Sequence, residues 1–232
     1  MNLPVLFPSP QQLPGQTLEG SRQTVVLSGR TPFLTRLIEV LFAGCVLILT
    51  APVMLVVALI VRFGTKGEVL FWQMRMGRNQ KPFRFVKFRT MYADAKERFP
   101  HLYEYRYTDE EIQKFKFKIM DDPRVTPQGR WLRTTTLDEL PNFWNVLMGD
   151  MAIVGPRPEI PEMLPHYTQE QLLKFAVRPG ITGLAQISGR GRLTFQDTVS
   201  YDVEYVRNHS AMLDLRIIVF TVIKMITRNG AF

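Results

Sequence analysis

The chain has 232 residues, 46% hydrophobic and 22% charged, which excludes a wholly disordered or collagen-like polypeptide and fits one compact domain with chain to spare. A single cysteine, Cys45, excludes a disulfide framework and a cysteine-based zinc site, and His101, His166 and His209 lack metal-ligand spacing. The net charge of +8 is local: ten basic and three acidic residues lie between Arg62 and Pro100, whereas sixteen of each sign follow. A basic block directly after an apolar segment points to anionic lipid or an anionic substrate. A basic patch alone is weak evidence for nucleic acid.

Residues 1–33 carry Pro4, Pro8, Pro10, Pro14, Gly15 and Gly20 among glutamines, the composition of a poorly ordered tail. Val40 to Val61 is a run of 22 residues without a charge. As one helix it would reach about 33 Å, enough to cross the hydrocarbon core of a bilayer. It starts too late and runs too long for a signal peptide. Pro52, near its middle, removes one helical hydrogen bond. Arg22, Arg30 and Arg36 precede the run, and Arg62, Lys66, Arg75 and Arg78 follow it. The positive-inside tendency wants both flanks on the cytoplasmic face. Two half-helices of about 18 and 14 Å re-entering one leaflet satisfy it. A kinked spanning helix does not, although pattern alone leaves both open. Backbone groups freed at Pro52 need partners at depth, and the Thr50 hydroxyl is a candidate.

Val69 to Met91 alternates in places, as in FRFVKFRTM, and predicts a strand or hairpin turning at Gly77-Arg78-Asn79. Asp94 to Phe117 reads as helix interrupted by Pro100. Leu140 to Leu147 reads as a short helix ended by Gly149, and Gln169 to Val177 as another stopped by Pro179-Gly180. Leu213 to Ile226, apolar with Asp214, Arg216 and Lys224 embedded, is either a core helix or a helix in the interface plane. The expected fold class is α+β, mainly helical.

Three segments can carry chemistry. In Thr134-Thr135-Thr136-Leu137-Asp138-Glu139-Leu140-Pro141, the Thr136/Glu139 spacing matches a capping box, and these residues then only start a helix. A helix start also favours anions, lowering a carboxylate pKa and holding phosphate. An ionised Asp138 beside phosphate meets the requirement for an acyl-phosphate intermediate, with Glu139 sharing a magnesium ion. In Gly155-Pro156-Arg157-Pro158-Glu159, two prolines brace Arg157, which suits phosphate recognition; a surface ion pair is the bland alternative. In Arg178-Pro179-Gly180-Ile181-Thr182-Gly183 and Ser188-Gly189-Arg190-Gly191-Arg192, glycines beside arginines let N–H and guanidinium groups converge on an anion. Walker A, Rossmann and G-x-S-x-G patterns are missing from the sequence, so these arginine loops are the candidate cradle for a nucleotide diphosphate.

Taken in order, KFRTM, LRTTTLDELPNFWNVLMGDMAIVGPRPE and VRPGITGLAQISGR closely resemble the bacterial sugar transferase family, the monotopic polyprenyl-phosphate phosphoglycosyl transferases, over roughly Thr35 to Arg228. The resemblance implies that a UDP-sugar and polyprenyl phosphate, usually undecaprenyl phosphate, give polyprenyl-diphospho-sugar and UMP in a magnesium-dependent ping-pong reaction. Asp138 falls on the family's nucleophile, and Glu139 assists through magnesium or proton handling. Arg133, Arg157 and Arg190 match positions that contact phosphate or nucleotide, and Lys87 and Asp214 match further active-site positions. The family's apolar segment re-enters the cytoplasmic leaflet, broken at a Ser-Pro pair that is Ala51-Pro52 here, and Arg36 and Glu39 match its basic and acidic residues at the helix start. The implied organisation is a tail (1–33), a re-entrant membrane helix broken at Pro52 (34–63) and a catalytic domain with interfacial amphipathic helices on the cytoplasmic face of a bacterial inner membrane (64–232). UDP-sugar, polyprenyl phosphate and anionic lipid are the implied partners, with a homo-oligomer and downstream glycosyltransferases beyond them and no nucleic acid. A non-enzymatic membrane-surface scaffold in polysaccharide export is the alternative function.

Overall fold

A long uncharged run of Leu, Val and Ile has only one way to pair its own backbone groups, and it forms α1 (Phe33–Gly64). The computed structural model describes residues 31–116, 119, 121–189 and 193–227; most of the expected tail lies outside them. The expected break at Ala51-Pro52 is absent: α1 is one continuous helix with Pro52 inside it. A lone proline removes a single hydrogen bond, and helix resumes on both sides. The Thr50 hydroxyl donates to the Val46 carbonyl at 2.7 Å, not to the Ile48 carbonyl that Pro52 deprives of its helical donor.

Both ends of α1 pack on the rest of the chain. Ala43 joins Phe83, Phe85, Val146 and Met151 in one apolar cluster, and Val57 and Val61 join Phe88 and Leu132 in another. Between them, Gly44 to Val56 contains no buried residue. The Arg36 guanidinium donates to the Val146 and Leu147 carbonyls at 2.6 and 2.7 Å, and Glu39, buried, accepts from Arg178 at 2.7 Å.

The expected hairpin forms from β1 (Leu70–Met76) and β2 (Pro82–Phe88), antiparallel with Phe71 opposite Lys87 and Arg75 opposite Phe83. The Asp94–Phe117 stretch is less helical than its composition suggests. It splits into α2 (Ala95–Arg98), a 3-10 helix at Pro100–Tyr103 and α3 (Asp109–Lys114), the last started by a capping box of Thr108 and Glu111. Next come α4 (Pro127–Thr135), a 3-10 turn at Leu137–Glu139 and α5 (Asn142–Met148). Gly149 ends α5 at φ 91°, a left-handed conformation that glycine adopts without a Cβ clash.

A parallel pair, β3 (Ala152–Val154) and β4 (Gly180–Thr182), follows. Its two strands approach so closely that a Cβ on Gly180 would stand 2.1 Å from the Gly155 nitrogen. The Arg178–Gly183 segment is therefore a paired strand rather than an open anion loop, and Arg178 is spent on Glu39 and the Met151 carbonyl. The helix expected at Gln169–Val177 is a 3-10 helix at Gln171–Ala176. The fold closes with α6 (Leu184–Gly189), α7 (Phe195–Arg207) and α8 (Ala211–Thr227). α8 buries Ile217 and exposes Met212, Leu215, Val219, Val222 and Ile226, as a helix lying at an apolar boundary does. The fold is α+β and mainly helical, with one apolar helix of membrane length among the described residues.

Candidate active site

The site is built where α4 hands over to α5. Thr126 caps α4 by accepting from the Gly129 N–H, and Gly129 lies so close to the Thr90 backbone that a Cβ would sit 2.0 Å from its carbonyl oxygen. That contact sets α4 against the end of the hairpin, and Arg133 Nε donates to Thr90 Oγ1 at 3.0 Å. The chain then reverses through Thr136 at φ 61°, a left-handed conformation uncommon for a residue with a Cβ. The expected capping box does not form: Thr136 makes no side-chain cap bond, and Asp138 and Glu139 lie in the 3-10 turn ahead of α5. Asn145, one helix later, locks α5 to β2 by accepting from Val86 N–H at 3.2 Å and donating to the Arg84 carbonyl at 2.8 Å.

Asp138 is 5% exposed. Its carboxyl is pushed up to about 6, first by burial and then by the neighbouring Glu139 charge, while Lys87, Arg133 and Arg157 pull it down. The helix-start rule anticipates the opposite direction. Local capping would have stabilised the anion, but no cap bond exists and removal from water dominates. Lys87, on β2 with its ammonium 5.7 Å from the Phe71 ring centroid, is pushed down to about 8 by burial, against the pull of Asp138. The Arg157 guanidinium, half exposed, reaches Glu139 Oε1 at 3.2 Å, and the Glu139 charge holds it above its ordinary value.

Of the residues singled out in the sequence, Asp138, Glu139, Lys87, Arg133 and Arg157 thus share one electrostatic neighbourhood. Asp214 is engaged in a different cluster: it accepts from Tyr205 Oη at 2.8 Å and faces His209 Nε2 at 3.3 Å. Arg190 lies outside the described residues. The sequence reading missed Arg75, whose Nη1 donates to the Pro158 carbonyl at 3.2 Å and whose charge acts on Lys87. Burial pushes it down to about 10. The sequence marks it only as a flanking charge; the register that sets it opposite buried Phe83 exists only in the folded hairpin. Asn145 was also missed; a lone polar residue on the apolar face of FWNVL was its signal. The basic block is likewise divided. Arg89 is buried on the Thr65 and Lys66 carbonyls, Arg75 and Lys87 serve the site, and Arg78 is half-buried, leaving Arg62, Lys66, Lys81, Arg84, Lys96 and Arg98 exposed.

Adjacent Asp138 and Glu139 offer hard carboxylate oxygens, and no hydrogen bond from a described residue occupies Asp138. Among the described residues no group of three or more His, Cys, Asp or Glu forms a closed cage. This donor set fits magnesium, which takes one or two carboxylates and completes its shell with water and substrate phosphate.

A buried carboxylate faced by three cations and neighboured by a second carboxylate is an arrangement suited to binding and reacting with a phosphate. The bacterial sugar transferase family matches residues 30–228, and the chain belongs to that family of transferases. Relatives include the galactosyl transferase CpsE of Streptococcus agalactiae, 41% identical over 71% of this chain and 36% of its own length. The UDP-glucose:undecaprenyl-phosphate glucose-1-phosphate transferase of Klebsiella pneumoniae is 39% identical over 89% of this chain and 43% of its own length. The exopolysaccharide production protein ExoY of Rhizobium meliloti is 35% identical over 85% of this chain and 87% of its own length. The chain therefore spans under half of the first two relatives and most of the third.

Proposed function

We propose that this chain transfers a sugar-1-phosphate from a UDP-sugar to polyprenyl phosphate in two displacements. The observation that carries the reading is Asp138, buried beside Glu139 and faced by Lys87, Arg133 and Arg157. An Asp138 oxygen attacks the sugar-bearing phosphorus, and the bond from that phosphorus to the bridging oxygen breaks, so UMP leaves with the bridging oxygen. The product is an aspartyl phospho-sugar. A phosphate oxygen of the lipid then attacks the same phosphorus, forming polyprenyl-diphospho-sugar and freeing the Asp138 carboxylate. Arg133, Arg157 and Arg75 neutralise the diphosphate, and the Lys87 ammonium favours ionised Asp138 before attack. Asp138 and Glu139 would hold magnesium, which when bound would stabilise charge on the transferring phosphoryl group. The names of the relatives, which specify undecaprenyl phosphate and exopolysaccharide, support the substrate class.

The test is donor alone: the purified chain, magnesium and a panel of UDP-sugars, followed by digestion and mass spectrometry. The expected result is one equivalent of UMP and a phospho-sugar on the peptide containing Asp138. No UMP from any donor, together with salt-sensitive vesicle binding, would instead favour a membrane-surface scaffold.

The same reading holds α1 in the cytoplasmic leaflet of a bacterial inner membrane, with both ends on one face. Its support is the packing of both ends on one body and the uncovered stretch between them. A straight helix of 32 residues would extend about 48 Å, more than a bilayer core. With Cys45 replaced by Ser, single cysteines at Thr31 and Thr65 are expected to react with an impermeant maleimide from the same side. Reaction from opposite sides would establish a span.

A further inference from the structure

Glu159, Tyr167, Lys174 and Asp202 form a buried polar network that the reaction above leaves unused. Tyr167 Oη donates to Glu159 Oε2 at 2.7 Å. Lys174 Nζ donates to Tyr167 Oη at 3.1 Å, pairs with Asp202 at 3.0 Å and lies 3.8 Å from Glu159. The network is set against the apolar cluster of Met163, Phe175, Phe195 and Val199. There, removing ions from water costs more than their attraction commonly returns, and apolar side chains of similar size would serve stability at least as well. Its presence calls for a geometric role.

What the network holds is Glu159, and Glu159 is a junction. Its carboxylate accepts from Tyr167 and from the Ile160 N–H at 3.0 Å, while its carbonyl accepts from the Met76 N–H, at the end of β1, at 2.7 Å. One residue earlier, the Pro158 carbonyl accepts from Arg75; two residues earlier, Arg157 reaches Glu139. The prolines on either side of Arg157 stiffen this stretch, and the Pro156 carbonyl, accepting from the Gly180 N–H at 2.9 Å, ties its start to β4, which leaves its far end to Glu159. We propose that the Glu159–Tyr167–Lys174–Asp202 network is a positioning device that anchors the Arg157 segment and, through the Pro158 carbonyl, Arg75, so that both guanidinium groups stand ready for the donor diphosphate. This rests on the transferase reading above. Tyr167, Lys174 and Asp202 act here as positioning residues and do not touch substrate.

Tyr167→Phe is the sharpest test, because it keeps the ring and its edge contacts with Phe175 and Phe195 and removes only the hydroxyl. UMP release per folded molecule is expected to fall on the order of tenfold, the scale of an ångström-sized misplacement. Lys174→Met is expected to act in the same direction. In an Arg157→Ala background, Tyr167→Phe is expected to cost less than in the parent, since only Arg75 is left to position. A merely structural network would lower the folded fraction and leave the rate per folded molecule unchanged. That result, or an undiminished further loss of rate in the Arg157→Ala background, overturns the proposal.

Hydrogen exchange supplies an arm that needs no turnover. In Tyr167→Phe the Met76 and Ile160 amides are expected to lose protection while the Ala152 and Gly155 amides, which donate to the Pro179 and Thr182 carbonyls across the β3–β4 pair, keep theirs. Unchanged protection at Met76 and Ile160, or a uniform loss at all four, overturns the positioning role. A parent chain that releases no UMP would refute the transferase reading, and the exchange arm would still decide this one.

Discussion

Asp138→Asn is expected to abolish UMP release and to melt at a higher temperature than the parent. The loss of the nucleophile should lower the rate at least roughly 10³-fold, as removal of a covalent catalyst does. The stability gain follows from the carboxyl, which burial and Glu139 raise from 3.8 to about 6. Between those values the folded chain binds more protons than the unfolded one, so stability falls as pH rises through the window and stays reduced above it. A shift of about two pH units corresponds to about 3 kcal/mol at neutral pH, an upper bound from which the cost of burying an amide is subtracted. Even half of that raises the melting temperature of a chain this size by several degrees. Scanning calorimetry at pH 7.5 beside a UMP assay checks both halves. An active variant, or one that melts several degrees lower, would contradict the account of the site.

Lys87 supplies the second large effect, and its signature is in the pH profile. For the parent, kcat/KM is expected to rise through about pH 6 as Asp138 ionises and to fall through about pH 8 as Lys87 loses its proton. Because the two groups interact, these limbs belong to the pair. In Lys87→Met the alkaline limb should disappear. The acid limb should move upward, since the Lys87 charge is one of those that hold the Asp138 carboxyl down. The rate at pH 7.5 should fall roughly a hundredfold, the scale of losing one electrostatic stabiliser in a closed site. Lys87→Arg retains the charge and should return the acid limb toward its original place. An acid limb that moves downward, or an alkaline limb that survives the loss of Lys87, would remove Lys87 from this role.

The elements that were legible in the sequence are those whose cause is local. The hairpin follows from alternation around a turn, α1 from an uncharged run, and the end of α5 from a glycine that adopts a left-handed conformation. The parallel β3–β4 pair was not legible. Three-residue strands carry almost no pattern, and the close approach of Gly155 and Gly180 exists only once the chain has folded. Thr136/Glu139 shows how a local pattern misleads: the spacing of a capping box is present, but a left-handed Thr136 ends α4 instead. Arg178 looked like a phosphate ligand beside its glycines, yet its partner is Glu39, 139 residues away.

By itself the sequence determined which family the chain belongs to, that a membrane-length apolar helix precedes a mainly helical α+β body, and that Asp138-Glu139 is the carboxylate pair to examine. These depend on the order and type of neighbouring residues. Only the tertiary structure decided that Asp138 is raised rather than lowered, that Arg75 joins Lys87, Arg133 and Arg157, and that Asp214 serves another cluster. Desolvation and Coulomb fields act through space between residues remote in the chain, so their balance at a carboxylate exists only after packing has set the distances.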